Sequence, residues 1–366
     1  MIKNDQIDPR FLADLYLFYR LFIIKKFASK PFKAKHIKEL SRHLMAISLG
    51  KLDKHLAVSM PPRHSKSSMV TLAFPLWLIF QDPNLNILIV NNTLTLSEKF
   101  GINLRDAILE YGYLFNVYLS DVKHSSSHLM LCDKEGKLYN GSIRLTGASG
   151  SITGQDADYL IIDDPYKGED EEFTPTALQK KIDWFNRIIE QRIEPTTKLI
   201  ILHTRWHSND IIGYVQKEQA YDYKFITFPA ILEDDKPLWP EKYSIEELNK
   251  KLSKVKERLF SAIWQQKPLD ETSDFFDIDR LQHIDELQPA EEIIDSVRVW
   301  DIQSSESIKS DYTAGSLIVL TNQERIGCTD IVHGQFAGET KQTIINTAKR
   351  DGYNVKILIE TGIAAA

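Results

Sequence analysis

Cysteine is scarce in this chain. Cys132 and Cys328 are its two cysteines in 366 residues, far apart and with no further Cys or His at metal-ligand spacing. A disulfide framework and a cysteine-based zinc site are therefore both excluded, and a reducing cytoplasm is the expected compartment. Long hydrophobic runs are missing too: "LFIIKKF" and "FPLWLIF" are far too short to span a bilayer, so no membrane association is expected. The start, "MIKNDQIDPRF", lacks the basic residues followed by an apolar core that an export signal needs. Neither internal repeats nor low-complexity tracts occur, which excludes solenoid and propeller architectures. An overall basic balance is also lacking, the net charge being −6. That figure is an average, because Lys25 to Lys54 holds nine Lys/Arg against Glu39 and Asp53. A solvated helix face is the plainer reading of that stretch, while a phosphate-backbone contact needs only such a local patch.

What is present is a globular composition, 43% hydrophobic and 26% charged, long enough for two domains. Short β-rich apolar runs alternate with helical patterns. "HLAVSM" precedes a helix from Lys66, "NILIVNN" precedes "LSEKFGINLRDAILEYGYLF", "YLIIDD" precedes "TALQKKIDWFNRIIEQRI", and "TKLIILHT" precedes "SNDIIGYVQKEQA". Runs of this kind indicate an α/β fold with a mainly parallel sheet covered on both faces. Pro75 is expected to kink or end the first helix, and "LMLCDKEGKLYNGSIRLTG" reads as an inserted hairpin. A long charged helix pattern, "SIEELNKKLSKVKERLFSAIWQQ", leads into an acidic aperiodic stretch at 269–296 that reads as a linker. Beyond it, at 297–366, come a strand, a hairpin, a helix and another strand.

One loop lacks the glycines its context calls for. "MPPRHSKS" joins a strand to a helix and ends in Lys66 and Ser67, as a phosphate-binding loop does, with Met60 and Ser65 at the glycine positions. In such a loop backbone amides face the phosphates, the Lys neutralises the β/γ oxygens and the hydroxyl holds Mg2+. A side chain in the left-handed region costs about 1–2 kcal/mol, so the loop either bears that strain or is shaped differently. Arg63 and His64 are expected to add positive charge, and Ser68 extends the loop. The alternative is an ordinary strand-to-helix turn.

"LIIDDP" favours the nucleotide reading. Asp163 and Asp164 end a buried strand, where two carboxylates are costly to desolvate unless a cation or donors await them. Asp163 would hold the metal through water, and Asp164 would polarise the attacking water. In "LHTRWHSND", Thr204, Arg205 and His207 leave a strand expected beside "LIIDD", placed to touch the terminal phosphate or that water. A plain helix cap at Ser208 or Asn209 is the alternative. In the last segment Asp301 ends "VRVW" and Glu360 ends "VKILI". Acids on adjacent strands can bind Mg2+ or Mn2+ for phosphodiester cleavage, though such a site needs a third acid; Asp311 is a further candidate.

With these residues in place, the chain resembles the large terminase subunit of tailed bacteriophages and prophages from about Lys33 onward. "PPRHSKS", "GSITGQDADYLIIDDP", "LHTRWHSND" and "VWDIQSSESIKSDYTAG" carry the resemblance. It implies a P-loop ATPase of the ASCE type over 1–268 and an RNase H-like nuclease over 297–366. It further implies ATP, a divalent metal, double-stranded DNA, portal protein and small terminase subunit as partners, a homo-oligomeric ring and a bacterial host cytoplasm. Lys66 and Ser67 fall in the phosphate loop, Asp163 in the metal strand, Asp164 at the catalytic acid, Thr204 and Arg205 in the coupling segment, and Asp301 and Glu360 at the first two nuclease acids. Two departures stand out: the family loop reads PPRHGKS, and the nuclease continues to a third acid. A truncated, impaired nuclease is therefore expected. A helicase-like DNA translocase without nuclease activity and a non-enzymatic prophage remnant are the alternatives. Phe32 and His36 are candidates for adenine recognition.

Overall fold

Apolar runs with no polar interruption build the centre of a large sheet. Its strands are β1 (His55–Ser59), β2 (Asn86–Asn91), β3 (Tyr118–Ser125), β4 (His128–Cys132), β5 (Leu138–Gly147), β6 (Tyr159–Asp163), β7 (Lys198–His203) and β8 (Tyr223–Thr227). The computed structural model describes residues 10–27, 33–150, 157–168, 170–269, 293–302, 312–323, 325–336 and 338–360. The chain divides into two units, Met1–Thr272 and Ser273–Ala366.

In the first unit the strand order among the described residues is β3-β4-β5-β2-β6-β7-β1-β8. From β5 to β8 every pairing is parallel, while β4 runs antiparallel to β3 and β5. Alternation along each central strand feeds two cores. Leu56, Ile89, Ile161 and Ile200 join one, with Ile37, Leu40 and Leu44 of the helix Lys35–Ser48 and Leu104 of the helix Leu94–Tyr111. Ala57, Val90, Ile162 and Ile201 join the other, with Leu178 and Phe185 from one helical segment and Ile211 and Val215 from the next. Each such buried Leu or Ile contributes about 1.5–3 kcal/mol, so the doubly covered sheet is the main stabilising element. Lys35, Lys38 and Arg42 lie exposed on the opposite side of their helix. Among the described residues no helix is long and apolar enough to cross a membrane.

Three local expectations need correction, the first of them in part. Pro75 neither ends nor breaks its helix, which continues to Ile79. The turn before it is π-helical over Ser68–Ala73, and the Phe74 amide bonds Met69 five residues back. This wider turn relaxes the clash between a proline ring and the preceding carbonyls. The charged pattern after residue 244 forms two helices, Ile245–Leu252 and Glu257–Ile263, the first opened by a Ser244/Glu247 capping box. The helix Ile211–Glu218 is capped by Asp210, and not by Ser208 or Asn209, because Asp210 Oδ1 accepts the Gly213 amide at 2.9 Å.

The second unit contains β9 (Ile293–Asp301), β10 (Thr313–Thr321), β11 (Ile326–Gly334), a helix (Thr340–Asp351) and β12 (Lys356–Ile359). Its sheet order is β11-β10-β9-β12, antiparallel except for the parallel β9–β12 pair. Arg298, fully buried, makes paired bonds of 2.7 and 2.8 Å to Asp351 and one of 2.7 Å to Asp330. The indole of Trp300 lies against Gly315, where a Cβ would come within 2.7 Å of the ring. Most of the expected linker, residues 270–292, lies outside the described residues.

Candidate active site

The carboxyl ends of β1, β7 and β6 stand side by side. Ser59 pairs with His203, and Leu202 with Asp163. Whatever follows each strand is therefore delivered to one edge of the sheet: the loop Met60–Ser67, Asp164, and Thr204–Arg205.

The loop bears the strain that its missing glycines foretell. Arg63 and Ser65 both have left-handed backbones, with φ of 60° and 64°. Contacts on every side hold them there. The Ser65 carbonyl accepts the Met69 amide at 3.2 Å and the Ser68 hydroxyl at 2.9 Å. His36 Nε2 donates to the His64 carbonyl at 3.0 Å, and the Lys242 ammonium donates to the Arg63 carbonyl. The His64 ring sits among Tyr243, Trp239 and Trp264 at 5.2, 6.1 and 6.3 Å between centroids. Burial pushes the pKa of His64 down to about 4. It is neutral near pH 7, so the expected positive charge at this position is corrected; Arg63 lies at the exposed rim. Ser68 turns toward the Tyr19 hydroxyl, 3.1 Å away, and ties the loop to an N-terminal helix.

Lys66, 6% exposed, opens the helix that follows. Its ammonium donates to Thr204 Oγ1 at 2.7 Å and pairs with Asp164 Oδ2 at 2.8 Å. Asp164 has φ of 47°, another left-handed non-glycine residue, and its Oδ1 accepts the Thr204 amide at 3.1 Å. Asp163 is 1% exposed; its two oxygens accept the Ser67 hydroxyl at 3.0 Å and the Thr71 hydroxyl at 2.6 Å. Burial raises its pKa and the Asp164 charge adds to that rise, while the Thr71 hydrogen bond, the Lys66 charge and the Ser67 hydrogen bond oppose it. Such a carboxylate is stabilised by a nearby cation.

Arg205 is directed to a different partner. Its Nε donates to Asp210 at 2.8 Å, and its backbone amide donates to Gln266 Oε1 at 3.0 Å. His203 beside it is buried and neutral: Nδ1 donates to the Thr204 carbonyl at 2.8 Å, while Nε2 accepts the Ile212 amide at 3.3 Å. Burial lowers its pKa.

The structure thus brings Lys66, Ser67, Asp163, Asp164 and Thr204 into one contact network, with Arg63, His64, Ser65, Ser68 and Arg205 around it. His36 supports the loop from behind, and burial lowers its pKa to about 4. Phe32 lies outside the described residues. In the second unit Asp301 and Glu360 leave neighbouring parallel strands, and the Glu360 amide donates to the Trp300 carbonyl at 2.9 Å. Both acids are exposed. Asp311 lies outside the described residues, among which no group of three acids or other metal-ligating side chains occurs. Sequence reasoning missed Thr71, Asp210 and Gln266. Thr71 had a signal, a lone hydroxyl four residues after Ser67 in an otherwise apolar run, and so did Asp210, an N-cap residue type directly before the apolar run "IIGYV"; Gln266 had none.

No family model matches the chain, and neither does any curated protein. Bacteriophage large terminases are among the similar solved structures. The HK97 bacteriophage large terminase is 12% identical over 95% of this chain and 74% of its own, with a TM-score of 0.49. The large terminase ATPase domain of Thermus phage P74-26 is 12% identical over 66% of this chain and 95% of its own, with a TM-score of 0.46. The large terminase from a thermophilic bacteriophage is 16% identical over 92% of this chain and 79% of its own, with a TM-score of 0.44.

Proposed function

We propose that the first unit hydrolyses ATP as a P-loop ATPase of the ASCE type and drives DNA packaging. One observation carries the ATPase reading: the Lys66 ammonium, the Ser67 hydroxyl and the Asp163/Asp164 pair share one contact network at the ends of neighbouring parallel strands. In a phosphate cradle a lysine neutralises the terminal phosphates, and the helix start that follows favours negative charge. Lys66 takes that role, with Arg63 at the rim. A hard cation is held by oxygen ligands, and the Ser67 hydroxyl and Asp163 carboxylate, 3.0 Å apart, are donors of that chemistry. Bound there, Mg2+ would neutralise charge on the phosphate oxygens.

Asp164 is the residue left to orient water. Its side chain is 34% exposed, unlike its buried neighbour. Water attacks the terminal phosphorus, the bond to the ADP oxygen breaks, and the water's proton passes to Asp164. Thr204, bonded to both Lys66 and Asp164, senses the change and passes it to Arg205. The supporting test is Asp164→Asn. It should keep nucleotide affinity within about threefold while turnover falls roughly a hundredfold or more; unchanged turnover would remove Asp164 from the chemistry.

The packaging role, with double-stranded DNA, portal protein, small terminase subunit and a ring of subunits, rests on the motif resemblance. In the second unit Asp301 and Glu360 are the first two acids of an RNase H-like nuclease site. With no third acid among the described residues, no step is assigned to metal there.

A further inference from the structure

We infer that Gln266 is a positioning residue for this hydrolysis: its side-chain carbonyl fixes the Thr204–Arg205 peptide, and through it the contacts Thr204 makes with Lys66 and Asp164. The inference rests on the ATPase reading and adds a residue to it.

Strand β7 ends at His203, so the next peptide has no sheet partner. Both of its polar ends are nevertheless held. The Thr204 carbonyl accepts His203 Nδ1 at 2.8 Å, and the Arg205 amide donates to Gln266 Oε1 at 3.0 Å. The Gln266 amide group is itself fixed, because its Nε2 donates to the Ile263 carbonyl. With that plane pinned, the Thr204 amide reaches Asp164 and its hydroxyl accepts from Lys66 while donating to Met60 O at 3.1 Å. Gln266 is 3% exposed, so loss of its oxygen leaves a buried amide donor without a partner.

Backbone strain points the same way. Six non-glycine residues among those described have positive φ: Arg63, Ser65, Asn116, Asp164, Asp235 and Gln266. Four of them, Gln266 included, belong to the network built on the phosphate loop and Thr204–Arg205. Strained backbone persists where its surroundings over-determine it, and it clusters where geometry matters for function. Gln266 touches neither Lys66 nor the loop amides, so its effect should fall on turnover and not on binding.

The experiment compares ATP turnover and equilibrium nucleotide binding for the parent, Gln266→Met, Gln266→Glu and Lys66→Ala. Gln266→Met fills a similar volume without an acceptor; turnover should drop roughly tenfold or more with affinity held within about threefold. Gln266→Glu keeps an oxygen facing the Arg205 amide and should recover most of that loss. Should Gln266→Met not fold, Gln266→Asn, comfortable in left-handed backbone but one methylene short, takes its place with the same expected loss. The assignment is overturned by parental turnover in the Met variant, by joint loss of binding and turnover, or by a Glu variant no better than Met. If Lys66→Ala is inactive while Gln266→Met is not, only Gln266 loses its role. If Lys66→Ala hydrolyses ATP like the parent, the ATPase reading itself is lost.

Discussion

At the scale of residues, the loop Met60–Ser67 shows two opposing effects at Ser65. Its left-handed backbone, with φ of 64°, costs a residue with a Cβ about 1–2 kcal/mol, whereas glycine adds about 0.5–1 kcal/mol of chain entropy to the cost of folding. The first effect is the larger, so Ser65→Gly should raise the melting temperature slightly and bind nucleotide at least as tightly as the parent. Weaker nucleotide binding would show that the hydroxyl itself is needed. His36 and His64 make a second prediction. Burial lowers both pKa values from 6.5 to about 4, so the unfolded chain takes up these protons first as pH falls. Their contribution, on the order of a few kcal/mol together, is full above pH 6.5 and is lost between there and pH 4. Their imidazole NMR signals should remain those of the neutral ring at pH 5.5; titration near 6.5 would contradict their placement. That Lys66, Ser67, Asp163, Asp164 and Thr204 lie near one another was readable in advance, because Asp163, Asp164 and Thr204 stand at strand ends and Lys66 and Ser67 open the helix after the first strand's loop. Gln266 was not, since its partner Arg205 is 61 positions away and nothing in "IWQQK" marks which amide turns inward.

At the scale of elements, continuous apolar runs were a reliable guide. β1, β2, β6 and β7 are buried on both faces, and burial of that kind leaves no room for polar alternation. β8, with Lys224 and Thr227 exposed on the sheet edge, has no such run, and β3 pairs through an irregular register; neither stood out. Pro75 does not end its helix, because a wider turn before it relieves the clash between the proline ring and the preceding carbonyls. The charged pattern after residue 244 misled because no proline or glycine marks the break at Ser253–Lys256 between its two helices. In the second unit the bond from Arg298 to Asp351 joins β9 to the helix Thr340–Asp351. Arg298→Ala takes from Asp351, 4% exposed in its side chain, its two short bonds and leaves it only the longer 3.7 Å contact with Arg350 among the described ion pairs. Removing one member of such a pair costs about 3–5 kcal/mol, so this variant should unfold at markedly lower urea concentration. A midpoint equal to the parent's would mean that the pair contributes nothing net to the unit.

At the scale of the whole molecule, two sheets of different construction follow one another along the chain. The first is built from parallel strands whose carboxyl ends gather the loop, the acids and Thr204; the second is mainly antiparallel, with Asp301 and Glu360 at neighbouring strand ends. In the first, β7 lies between β6 and β1, so Thr204 stands between Lys66 and Asp164 and contacts both. That insertion gives one residue contact with both Lys66 and Asp164, which under the proposed function are the phosphate-binding cation and the acid that orients water. The proposed hydrolysis depends on that lysine acting on a nucleotide. Magnesium-dependent release of phosphate from ATP, measured side by side for the parent and Lys66→Ala, tests this most directly. A fall of roughly a hundredfold or more in the variant is the expected result; equal rates in the two proteins would contradict the account.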